Sequence, residues 1–148
     1  MPTLFFLPAQ EAGLGRGRGR RPPTEQAEKG RENMSWRLRV RDKFQAAHFL
    51  KEYQGKCERV HGHTFQVEAV VEVADLDRTG IGIDFTRIKA KLAEVLPDHT
   101  LLNDVYPFNP SAENLAREFF SRLKKHFPVI EVTVWESEDA CATYSEDR

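Results

Sequence analysis

The chain has 148 residues, 40% of them hydrophobic and 30% charged, and a formal net charge of -1. This fits one soluble domain with a single sizeable core and argues against nucleic-acid or membrane binding through bulk charge. No apolar run approaches the roughly 18 residues of a membrane-spanning helix, and the two cysteines do not make a disulfide framework, which points to a reducing compartment, the cytoplasm.

The front of the chain differs in kind from the rest. A Gly/Arg repeat from Gly13 to Arg21 is followed by Pro22, Pro23 and a polar stretch through Gln26, Lys29 and Glu32. Such a composition does not offset its ordering entropy by burial, which predicts a disordered leader over residues 1–34 ahead of a domain at 35–148. The run Leu4 to Leu7 is too short for a signal-peptide core and has no basic region before it. An Arg/Gly run can bind nucleic acid weakly, but a solvated tail is the plainer reading. Met34 is an alternative start.

Trp36 to Phe44 alternates, with Trp36, Leu38, Val40 and Phe44 on one side and Arg37, Arg39, Arg41 and Lys43 on the other. This predicts a half-buried strand with a basic, solvated outer face. Lys51 to Lys56 has no period and reads as a loop that carries Cys57. Thr64 to Val73 alternates again, with Phe65, Val67, Ala69, Val71 and Val73 inward, and Asp75, Asp77 and Gly80 mark a turn.

Between these strands lie His48, His61 and His63, three of the five histidines. Residues two apart on a strand share a face, so His61 and His63 point the same way. His48 shares the parity of Phe44, and His61 and His63 share that of Phe65, so the three imidazoles can converge from two inward ladders. Three such nitrogens suit zinc and leave a position open, as in catalytic sites. Two alternatives stand beside this one: a closed structural site with Cys57 as fourth ligand, and histidines that are only satisfied polar groups at the edge of a core.

Asp84 caps a helix through Leu96, with Phe85, Ile88, Leu92 and Val95 along one face, and Pro97 stops it. Asp98 and His99 follow. A carboxylate that accepts from one imidazole nitrogen raises the basicity of the other, as a proton relay requires, although adjacent residues usually point apart and a turn feature is the alternative. Ser111 caps a second helix whose stripe of Leu115, Ala116, Phe119, Phe120, Leu123 and Phe127 reads as core. His126 at its end complements the helix dipole. In the last long strand Ile130, Val132, Val134 and Glu136 share one side; a carboxylate there needs a partner, unless it lies past the strand end and is solvated. Cys141 sits in a short final strand. Strand, strand, helix, helix, strand, strand is an α+β order, an antiparallel sheet with two helices on one face.

The runs Phe44-x-Ala46-Ala47-His48, Gly55-Lys56-Cys57-x-x-x-His61-Gly62-His63, Ile83-Asp84-Phe85-x-x-Ile88-Lys89, Asp98-His99-x-x-Leu102-Asn103 and Asn109-Pro110-Ser111-Ala112-Glu113-Asn114 resemble the 6-pyruvoyl-tetrahydropterin synthase family. The likeness runs in order from about Ser35 to Tyr144 and is nearest to the bacterial 6-carboxytetrahydropterin synthases that supply queuosine. It implies the tunnelling fold, whose sheets join between subunits into an oligomeric barrel, commonly a hexamer, so that neighbouring copies complete each pocket. It implies zinc on His48, His61 and His63, Cys57 as the base that moves protons between substrate carbons, Asp98 and His99 as its relay, and Glu136 as the anchor of the pterin. The cationic neighbours Lys56 and Arg59 suit a sulfur that acts as thiolate. Ser137, Glu138 and Asp139 depart from the usual less acidic, Thr-containing turn.

The activity so implied is that of a zinc-dependent lyase. It converts 7,8-dihydroneopterin triphosphate to 6-carboxy-5,6,7,8-tetrahydropterin and releases acetaldehyde and triphosphate. Elimination of triphosphate to 6-pyruvoyltetrahydropterin is the alternative, while a folate-branch relative would carry glutamate in place of Cys57. The reading from a different class is a non-catalytic zinc-stabilised binding module.

Overall fold

The computed structural model describes residues 34–146; the expected leader, apart from Met34, lies outside them. The two alternating stretches are one long hairpin pair, β1 (Trp36–His48) and β2 (His61–Val73), in unbroken antiparallel register from Trp36 opposite Val73 to His48 opposite His61. Both strands run further toward the histidines than the apolar pattern alone requires. After β2 come α1 (Phe85–Val95), a two-residue β3 (Thr100–Leu101), the single turn α2 (Leu102–Val105), α3 (Ala112–Leu123), β4 (Val129–Trp135) and β5 (Cys141–Ser145). The sheet order is β3-β1-β2-β4-β5. The four longer strands are antiparallel to their neighbours, as expected, whereas β3 joins β1 in parallel, which makes the sheet mixed.

The helices begin where the sequence places them. The Asp84 carboxylate accepts from the Thr86 backbone N–H at 2.8 Å, and the Ser111 hydroxyl accepts from that of Asn114 at 3.3 Å, satisfying donors that a helix start leaves free. Both helices contribute to one apolar core. Ile88 and Leu92 of α1 and Leu115, Ala116, Phe119, Phe120 and Leu123 of α3 cluster with Val40, Phe44, Phe65, Val67, Val132 and Val134 of the sheet. Phe44 stacks on Phe65 with ring centroids 4.9 Å apart and meets Phe119 edge-on at 5.9 Å. Two large residues expected in apolar stripes are instead exposed, Trp36 at 54% and Phe85 at 52%. Each sits at the first residue of its element, beyond the reach of the core.

The basic outer face of β1 is only partly a solvated surface. Arg39 and Arg41 both donate to Glu68 on β2, and Arg39 also lies 3.6 Å from Glu131 on β4. Burial opposes the charge on Glu68, but the two guanidinium groups outweigh it and hold the carboxyl below its usual range. Glu68 is therefore a buried, paired charge in the middle of the sheet.

Candidate metal centre

The end of the β1–β2 pair gathers the histidines. His48 is directly opposite His61, and His63 is opposite the small Ala46, so all three rings lie on the helix-covered face. Their centroids are 4.5 Å (His48 to His61), 5.1 Å (His48 to His63) and 5.7 Å (His61 to His63) apart. Each ring turns its Nδ1 to a main-chain carbonyl: His48 to Pro110 at 2.9 Å, His61 to Arg59 at 2.8 Å and His63 to Thr64 at 3.4 Å. An Nδ1–H that donates to a carbonyl fixes the tautomer with a lone pair on Nε2. The three Nε2 atoms are thus the free ligating positions.

Glu136 completes the group. It follows the last residue of β4, and its Oε1 lies 3.2 Å from His48 Nε2 and 3.8 Å from His63 Nε2. His48 Nε2 and His63 Nε2 are 3.1 Å apart, a distance at which two lone pairs repel unless a proton or a cation lies between them. One ligand atom from each of His48, His61, His63 and Glu136 falls within 4.8 Å of the others. Neighbouring ligands on a tetrahedral ion with bonds of about 2.0–2.1 Å are about 3.3 Å apart, and the distances above bracket that value. These residues can hold a metal ion.

The electrostatics point the same way. His48 is fully buried, and burial opposes its charge, yet the Glu136 carboxylate and the Pro110 carbonyl together outweigh that and raise its pKa above the ordinary imidazole value. For His63 burial wins: its pKa falls, with the neighbouring His48 adding to the effect against the Thr64 carbonyl and Glu136. The hydrogen bond from His48 leads the causes that hold Glu136 below the usual carboxylate range, against burial. One negative charge thus faces three rings that a single cation would satisfy together.

The other expected site residues are placed as follows. Cys57 lies in a short 3-10 turn, Lys56–Glu58, with its side chain partly exposed, and is not among the metal-site group. Asp98 and His99 bond directly, Oδ2 to Nδ1 at 2.9 Å. Adjacent side chains meet here because His99 adopts a left-handed backbone, φ 56°. Gln45 of β1 pins the pair from both sides: its N–H donates to Asp98 Oδ1 at 2.8 Å and its carbonyl accepts from the His99 N–H at 2.6 Å. Both side chains are exposed, Asp98 at 52% and His99 at 76%, beside a depression lined by Gln45, Gly62, His63 and Thr64. The Gln45 N–H leads the causes that lower the Asp98 pKa. Among the described residues no hydrogen bond or ion pair joins the Cys57 thiol to this pair. The main-chain carbonyls of Pro110, Arg59 and Thr64 were not legible as site groups, since a carbonyl leaves no mark on residue type.

A helix-backed sheet with three imidazoles and a carboxylate gathered at its strand ends defines an α+β protein with a side-chain group able to hold a metal ion. Residues 37–147 match the family described as 6-pyruvoyl tetrahydropterin synthase, and the chain belongs to that family. It is similar to the 6-carboxy-5,6,7,8-tetrahydropterin synthase of Bacillus subtilis, 36% identical over 58% of this chain and 64% of that protein. It is similar as well to a putative 6-carboxy-5,6,7,8-tetrahydropterin synthase of Archaeoglobus fulgidus, 38% identical over 67% of this chain and 86% of that one. A dihydroneopterin monophosphate aldolase of Pyrococcus furiosus is 33% identical over 72% and 94%. The 6-pyruvoyl tetrahydropterin synthase of Caenorhabditis elegans superposes with a TM-score of 0.69 at 24% identity, covering 77% of this chain and 97% of that one. The fold is the tunnelling fold expected from the sequence, with the sheet open within one chain.

Proposed function

We propose that the protein is a zinc-dependent lyase that converts 7,8-dihydroneopterin triphosphate to 6-carboxy-5,6,7,8-tetrahydropterin, with release of acetaldehyde and triphosphate, in queuosine-type deazapurine synthesis. The observation that carries this reading is the cluster of three Nε2 atoms and the Glu136 carboxylate, from which Cys57 is excluded. A thiol outside the ligand set is free for proton transfer, whereas in a zinc-stabilised binding module it would close the site. Several relatives named 6-carboxy-5,6,7,8-tetrahydropterin synthase support the choice of product.

Zinc supplies Lewis acidity toward the side-chain oxygens of the substrate. The residues of the chain do the rest. His48, His61 and His63 hold the ion with tautomers set by main-chain carbonyls. Cys57 takes and returns the proton on the substrate side chain, and Asp98 orients His99 as its relay. Glu136 keeps one carboxylate oxygen toward the histidine rings, where it supports the ion, and offers the other to the N–H donors of the pterin ring. By the family pattern, neighbouring copies complete the pocket in a homo-oligomer, a hexamer.

Formation of 6-pyruvoyltetrahydropterin is the second reading, favoured by the likeness to the Caenorhabditis elegans protein. Mass spectrometry of the products from zinc-replete protein and 7,8-dihydroneopterin triphosphate separates the two. Acetaldehyde with the 6-carboxy product is expected. The 6-pyruvoyl product would move the protein to the second reading, and zinc-bound protein with no turnover would overturn the lyase reading altogether.

A further inference from the structure

The segment between His48 and Lys56 has no regular secondary structure, and Glu52 and Gln54 within it adopt left-handed backbones, φ 65° and 55°. Non-glycine residues stay in that region only when their surroundings hold them. Just before these two in the chain, the main chain of Phe49 and Lys51 is held by two asparagine side chains. Asn103 Oδ1 accepts from the Phe49 N–H and its Nδ2 donates to the Phe49 carbonyl, both at 2.9 Å. Asn109 does the same for Lys51, at 2.9 Å and 3.0 Å. Each amide reads both polar groups of one residue, as a neighbouring strand would.

Residues 49 and 51 present their main-chain groups to one edge, and residue 50 presents its own to the other. On that other edge the Leu50 N–H donates to the Cys57 carbonyl at 2.8 Å. The three residues after His48 are thus a miniature strand, held on one side by Asn103 and Asn109 and holding Cys57 on the other. The same frame reaches the metal site, because the carbonyl of Pro110, the residue after Asn109, accepts from His48 Nδ1. Asn109 is itself fixed, its carbonyl accepting from Asn114 Nδ2 at 3.0 Å and from the Ser111 N–H at 2.9 Å.

We infer that Asn103 and Asn109 are positioning residues for Cys57, setting where its thiol stands relative to the metal-binding histidines. This rests on the reading of Cys57 as the proton-transfer group. The chemistry explains why the residues are amides. An aspartate of the same shape accepts from the N–H but turns a second anionic oxygen toward the carbonyl, where an amide donates, so the clamp opens without loss of side-chain volume.

The test uses Asn103→Asp and Asn109→Asp, each in a Cys141→Ser background so that Cys57 is the only thiol. Three quantities are read on the full-length, zinc-loaded protein: backbone hydrogen exchange at Phe49, Leu50 and Lys51, the rate of Cys57 alkylation by iodoacetamide, and kcat and KM for dihydroneopterin triphosphate. Exchange at these amides should rise tenfold or more and the alkylation rate should change several-fold, with zinc stoichiometry retained. A displaced thiol should lower kcat by roughly tenfold to a hundredfold with KM little changed. Wild-type exchange and alkylation in both variants overturns the inference. If one variant does not fold, the other and the milder Asn→Ser changes carry the same readouts. Exchange and alkylation do not depend on turnover, so they judge the clamp by themselves, while a Cys57→Ala enzyme that keeps its activity overturns the reading of Cys57 instead.

Discussion

Replacing Glu136 with glutamine should move two features of metal binding in opposite directions. In the metal-free protein His48 titrates above the ordinary imidazole value because Glu136 and the Pro110 carbonyl together outweigh burial. A metal ion takes the neutral ring, so below that pKa each bound ion displaces a proton from His48, and affinity falls about tenfold, or ~1.4 kcal/mol, per pH unit. In Glu136→Gln the charge and the charge-assisted bond are gone. Burial, the largest single influence, then opposes only the Pro110 carbonyl, and the His48 pKa falls below its ordinary value. The acid limb of metal binding therefore shifts to lower pH. At neutral pH the neutral amide is a poorer partner for the cation, and affinity drops on the order of 10- to 100-fold. Competition against a chromophoric zinc chelator, from about pH 5 to about pH 8.5 across the histidine range, reads both effects in one series. An acid limb that stays in place or moves upward would refute the reasoning. The metal-free protein has its own pH window from the same pair. The raised His48 contributes stability that is full below its unfolded pKa and lost as pH rises through the folded one. The depressed Glu136 contributes stability present above its unfolded pKa and lost as pH falls through the folded one.

Cys57→Ala should keep zinc stoichiometry and stability, the latter within about 0.5 kcal/mol, while turnover falls by at least about a hundredfold; joint loss of metal and stability in equilibrium unfolding would identify the thiol as a ligand instead. Phe119→Ala empties a fully buried position against the Phe44–Phe65 stack and should cost about 3–5 kcal/mol in urea unfolding, and a loss below about 1 kcal/mol would show that the core closes over the gap.

Much of this architecture was legible because it is periodic. Strict alternation marked β1, β2 and β4, helical spacing marked α1 and α3, and the capping roles of Asp84 and Ser111 hold in the structure. Parity alone put His48, His61 and His63 on one face. What was not legible is what has no period. The two residues of β3 are too few to show alternation, and the contact of Glu136 with His48 spans 88 residues of sequence from one strand end to another. The Asp98–His99 bond depends on a left-handed backbone at His99 that no adjacent glycine announces. Asn103 and Asn109 stood inside recognisable runs, but a loop asparagine gives no sign of which main chain it holds.

The metal site depends on sheet register more than on any loop. His48 meets His61 directly and His63 across Ala46 only in the observed pairing; a slip of one residue would turn one strand's histidines to the opposite face. Beside the histidines, Gln45 is tied to Asp98 and His99, and Phe49 to Asn103. The register is also set farther along the same strands. Phe44 faces Phe65 under the edge of Phe119, and Val40, Ala69, Val67 and Val132 continue the buried ladder, while on the reverse face Arg39 and Arg41 close on Glu68. A slip would expose the aromatic pair and leave the Glu68 carboxylate without its cations, so both faces oppose it together. The apolar core and the ion cluster thus keep the three imidazoles on one face and in one register, so that their convergence is built into the sheet before any cation binds.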